Sequence, residues 1–115
     1  MPEIVFAIPV VPGKEQLDRQ TLAEMTGARR NEYEASLKDA GIKRQAVWHQ
    51  QTPDGTLALV YIMADDPDAA QRFSSSDAPL NRWFREQMQE VHGVDISQPL
   101  PPVSKVHDSQ DAPRP

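Results

Sequence analysis

Cysteine is absent from the chain. That excludes a disulfide framework and thiolate chemistry, and it removes the usual marker of an oxidising compartment. Histidine is scarce: His49, His92 and His107 are too scattered for a metal-ligand spacing, and no metal or cofactor is expected. Positive charge is also in deficit. Twelve Lys and Arg stand against seventeen Asp and Glu, a formal charge of −5. The paired bases Arg29-Arg30 and Lys43-Arg44 are isolated, so no basic stripe answers a phosphate backbone and no nucleic-acid partner is expected. Long apolar runs are missing too. Nothing approaches the ~20 residues needed to cross a bilayer. The opening MPEIVFAIPVV lacks a basic leader and runs into Pro12-Gly13, as a strand does and a signal peptide does not. The expectation is a cytoplasmic protein without a membrane partner.

What is present is one domain's worth of patterned chain. A chain of 115 residues can bury roughly 65% of its unfolded surface without staples. Residues 3–10 carry Ile4, Phe6, Ile8 and Val10 against Val5 and Ala7, which predicts a strand covered on both faces. From 14 to 40 helix formers dominate. Leu22, Met25, Arg29, Tyr33, Ser36, Leu37 and Ala40 share one stripe at ~100° per residue. Gly27 interrupts the run, so a bent helix or two shorter ones fit, and Gly41 supplies the stop.

Residues 43–51 and 56–64 read as a hairpin closed by Thr52-Pro53-Asp54-Gly55. The second of these strands is apolar throughout, with Leu57, Leu59, Tyr61 and Met63 on one face and Ala58, Val60, Ile62 and Ala64 on the other, which predicts a central position. Asp65-Asp66-Pro67 and Asp77-Ala78-Pro79 are helix starts. Leu80, Trp83, Phe84, Gln87, Met88 and Val91 form the stripe of the second helix, which Gly93 ends. Residues 97–102 are proline-rich and extended, 103–107 are expected as a short edge strand, and 108–115 as a flexible polar tail.

That order predicts an α+β fold: a ferredoxin-like βαββαβ sandwich spanning residues 3–107, its helices on one face of an antiparallel sheet. Such a sheet normally alternates apolar and polar positions because one face meets water. Here two strands are apolar on both faces, so the outer face needs cover, and a second copy related by a two-fold axis is the expected partner.

Eight residues are candidates for a ligand pocket, and none is assigned a catalytic role. Arg29 falls on the inward stripe, where an unpaired charge is costly; it either reaches a partner carboxylate or holds an anionic ligand. Arg30 flanks it and Tyr33 lies one turn on. Trp48 and His49 are adjacent on a strand and point to opposite faces, with Tyr61 on the neighbouring strand. His92 suits a helix C-terminus, and Asp95, in the turn after Gly93-Val94, can accept a bond from His92, as an orienter does, or from a backbone amide. No Ser-His-Asp order, phosphate loop or metal spacing accompanies them. Two readings fit: a homodimer that binds or transforms a small anionic or aromatic molecule between sheet and helices, or a non-catalytic dimeric structural or protein-interaction module.

The strand order and the doubly apolar sheet resemble the dimeric α+β barrel proteins, which include antibiotic-biosynthesis monooxygenases, EthD-like proteins and muconolactone isomerases. The likeness covers most of residues 3–107 and implies fold, not function; the Asn, Trp and His arrangement of the monooxygenases has no counterpart. Gly27-Ala28-Arg29-Arg30 with Tyr33, Asp66-Pro67, Arg82-Trp83-Phe84 and His92-Gly93-Val94-Asp95 resemble a family of small uncharacterised bacterial proteins, which implies no catalytic residue.

Overall fold

A computed structural model describes residues 2–111. Strand β1 (Glu3–Pro9) is followed by helices α1 (Glu15–Thr26) and α2 (Arg30–Ala40), the hairpin β2 (Ile42–Thr52) and β3 (Gly55–Ala64), and helices α3 (Ala69–Ser75) and α4 (Pro79–His92). The three strands form one antiparallel sheet in the order β1-β3-β2. β3, apolar at nearly every position, is central, because its two neighbours satisfy its backbone on both edges.

The long helical run splits where glycine allows it. At Gly27 the chain leaves α1 and donates its N–H to Glu24 O. A Cβ there would lie 2.9 Å from the Ala23 carbonyl oxygen, so only glycine fits this break. Gly41 closes α2 at φ 79°, returning its N–H to the last turn as a left-handed cap. Arg72 of α3 then donates to Ala40 O and pairs with Asp66, holding the helix end against the start of α3.

One register shift sets the faces of β2. Ile42 pairs with Ala64 and Arg44 with Met63, so Lys43 is an extra residue in a bulge. Beyond it Gln45, Val47 and His49 share a face with Ala58, Val60 and Ile62, and with Ile4, Phe6 and Ile8 of β1. This face meets the helices. Met25, Phe73, Phe84, Met88 and Val91 are buried against it. Tyr33, Phe73 and Phe84 meet edge to face, with centroids 6.3 and 5.7 Å apart, adding about 1 kcal/mol per pair to the area they bury. Beneath them Ser36 donates to Asn81, whose amide donates to Phe73 O, so α2, α3 and α4 are tied through satisfied buried polar groups.

The four-stranded βαββαβ expectation is corrected here. Among the described residues there are three strands, and 103–107 form no strand. Pro99, Pro101 and Pro102 supply no N–H to a ladder, and Val103 and Val106 remain 60% and 94% exposed. Ahead of 103–107, Ile96 and Leu100 pack half-buried on the core, and the chain from Ile96 to Val103 forms an irregular strap. Of the expected tail, 112–115 lie outside the described residues; Asp108 turns on itself by accepting the Gln110 N–H and pairs with Lys105. Among the described residues no helix is long and apolar enough to cross a membrane.

Candidate functional site

Between the sheet's helix face and the helices lies a cavity of about 380 Å³, within the usual size for a small-molecule site. Phe6 and Ile8, Val60 and Ile62, Leu22, Phe84 and Met88 are among its lining residues, and so are Ile96 and Gln98 to Val103 of the irregular strap that follows α4. A smaller space of about 280 Å³ adjoins it beside Met25 and Tyr33, sharing Leu22, Gln45 and Val47. The strap is fastened at its start. Asp95 accepts the Ser97 N–H and hydroxyl at 2.9 and 2.6 Å, and these bonds hold its carboxyl below the usual carboxylate range. Gln71 of α3 donates its amide to the Ser97 carbonyl.

One acidic side chain is buried in this largely apolar wall. Asp18 of α1 is 1% exposed and lines the cavity. Its Oδ2 lies 2.7 Å from Nε2 of His49, which crosses from β2. A carboxylate only accepts, so Nε2–H is the donor and, in the neutral ring, Nδ1 carries the lone pair. Two groups that would each be costly to bury alone therefore offset one another. Nearby, the Thr56 hydroxyl donates to Gln51 at 3.1 Å, which keeps this end of the sheet polar.

The sequence candidates divide between places. His49 is on the helix face, held by Asp18. Tyr33 lies at the smaller space and donates to Gln45 Oε1 at 2.6 Å; burial pushes its hydroxyl up to about 12. His92 lines the cavity and donates Nδ1–H to Pro9 O at 2.8 Å, not to Asp95, which Ser97 occupies. Arg29 is bound to Glu24 at 2.6 Å and lies 4.2 Å over the Trp83 ring, and Arg30 pairs with Glu34 on the surface. Both arginines stand outside the cavity wall.

Trp48 and Tyr61 occupy the opposite sheet face, pairing in register with Leu59 and Ala46. There the Tyr61 hydroxyl donates to Glu3 and Arg44 lies 5.9 Å over its ring. Hydrogen bonding to Glu3 raises the Tyr61 pKa. The eight candidates are thus spread over the cavity, the smaller space, the surface and the opposite sheet face.

Asp18 was absent from the sequence candidates. Its signal was present: it stands four residues before Leu22 and seven before Met25, on the same inward stripe that singled out Arg29. Among the described residues no group of three potential metal ligands comes together.

Comparison with known proteins gives one result. A family model described as a family of unknown function (DUF6176) matches residues 2–107. No curated protein and no solved structure matches the chain.

Proposed function

The chain belongs to this family of unknown function, and we propose that it binds a compact, largely apolar small molecule between sheet and helices. The observation that carries this reading is the 380 Å³ cavity, walled by aliphatic and aromatic side chains around one buried carboxylate. The anionic ligand suggested by Arg29 loses its support, because that guanidinium is engaged by Glu24 and no Lys or Arg is among the described lining residues. An apolar or aromatic frame is the better fit.

Titration of anisole or toluene into labelled protein tests the proposal. Amide shifts should concentrate on residues around Leu22, Val60 and Met88. Ala70→Phe, projecting from the half-exposed wall of α3, should abolish them while leaving the thermal transition in place. Wild-type spectra unchanged at millimolar probe overturn the reading.

A second reading, pairing with another copy, has its own observation. The sheet face away from the helices carries Val5 and Trp48, 50% and 54% exposed, beside half-buried Leu57, Leu59, Tyr61 and Met63. Three strands at ~4.8 Å spacing present on the order of 400 Å², in the range of an interaction patch. Glu3 and Arg44 flank Met63 across the sheet, so a two-fold rotation can set the acid of one copy against the base of the other. Light scattering at micromolar concentration should give twice the chain mass, and a monomer mass removes this reading.

A further inference from the structure

Asp18 has two oxygens, and only one is used. Oδ2 takes the His49 Nε2–H; among the described residues nothing bonds to Oδ1. Among the described residues every side-chain nitrogen or oxygen fully sealed from solvent has a partner, so Oδ1 is not fully sealed, and Asp18 is one of the residues that line the cavity. An acceptor therefore stands in an apolar wall with one of its positions vacant.

The rest of the wall points the same way. The charged or titratable lining residues are Glu3, Asp18 and His92; Glu3 gives its carboxylate to Tyr61 on the opposite sheet face, which leaves Asp18 as the acid of this wall. His92 spends Nδ1–H on the Pro9 carbonyl, so that nitrogen has no donor left for a ligand. Neighbouring cations are spent elsewhere: Arg72 on Asp66 and the Ala40 carbonyl, Lys14 on Glu90.

We infer that Asp18 is a specificity-determining residue, selecting apolar molecules that carry a hydrogen-bond donor, neutral or cationic, such as phenols, alcohols and amines, and rejecting carboxylates. His49 is its positioning residue: by occupying Oδ2 it fixes the rotation of the carboxylate and leaves Oδ1 toward the ligand. This inference rests on the cavity binding an apolar molecule at all. A donor meeting a carboxylate away from water gains a charge-assisted bond, whereas an analogue lacking the donor leaves that oxygen unpaired. A carboxylate ligand brings like charges together in a medium that screens them poorly.

A matched set of probes separates the two ideas: phenol, anisole, benzylamine and benzoate, titrated into the whole chain and followed by amide shifts. Phenol and benzylamine should bind about tenfold tighter than anisole, as one charge-assisted bond provides, and benzoate should not bind. Asp18→Asn should abolish the preference for benzylamine and admit benzoate. His49→Gln, which keeps a donor for Oδ2, should retain the phenol-to-anisole ratio; His49→Phe should lose it. Equal affinities for phenol and anisole in the wild type overturn the inference and leave the apolar site standing. Failure of all four probes overturns the site itself. The wild-type ratio decides even if a variant does not fold.

Discussion

His49 of β2 holds Asp18 of α1 across 31 positions of sequence at 2.7 Å, with side chains 16% and 2% exposed. The pair binds the first helix to the hairpin, and its two halves are not equivalent. Removing the imidazole leaves a buried carboxylate with no partner, whereas Asp18→Asn leaves a neutral amide. His49→Ala should cost about 3 kcal/mol and Asp18→Asn clearly less. Urea denaturation of the two single variants and the double variant measures this; additive losses would show that the two side chains are not coupled.

Tyr33 gives the fold an alkaline limit. Its hydroxyl donates to Gln45, and burial moves its pKa from 10.0 to about 12. Below pH 10 folded and unfolded chains both keep the proton, and the contribution to stability is whole. Between 10 and 12 the unfolded chain releases it first, so stability falls as pH rises through that window. Absorbance at the phenolate band should show a late step that Tyr33→Phe removes, and the variant's stability should vary less across the same range. A Tyr33 step at the ordinary tyrosine value would contradict the buried placement.

The unequal legibility of this chain has physical causes. The hairpin, the glycine stops and the stripe of α4 follow from local chemistry: a Pro-Asp turn, a left-handed cap, a 3.6-residue period. The face assignment of β2 does not, because a single bulged residue at Lys43 inverts everything after it, and no local preference marks that position. So His49 and Trp48 were distinguishable only as opposites. Arg29 and Asp18 show the same limit on a helix. Both lie on the inward stripe, but a long guanidinium reaches past it to Glu24 while a short carboxylate cannot leave. The missing fourth strand was readable in part, since three prolines precede it.

The two faces of β3 make opposite predictions. Val60 is 8% exposed against the helices, and Tyr61 faces away. Val60→Glu puts an unpaired charge in the core and should unfold the chain. Tyr61→Glu leaves the core intact and places a new acid beside Glu3 on the proposed pairing face. It should yield a folded monomer. Circular dichroism and light scattering together distinguish these outcomes, and a Tyr61→Glu protein of unchanged mass would count against sheet-to-sheet pairing.

The strap has its own signature, because it is fastened at one end only. Ile96 and Leu100 pack half-buried on the core, Gln71 clips the Ser97 carbonyl, and from Val103 to His107 every residue is exposed. Prolines stiffen the segment without giving it a ladder to join. Gln71→Ala should therefore release the strap without disturbing sheet or helices: amide exchange at Gln98 and Leu100 quickens while β3 stays protected. Leu100→Ala adds a loss of about 1–2 kcal/mol from apolar area no longer covered. If the strap gates the cavity, a bound probe such as phenol should leave both variants faster than it leaves the wild type, with the larger change in dissociation rate and the smaller in association. Identical dissociation from all three proteins would assign the strap to core cover alone, since a segment that merely packs changes stability and not the escape of what lies beneath it.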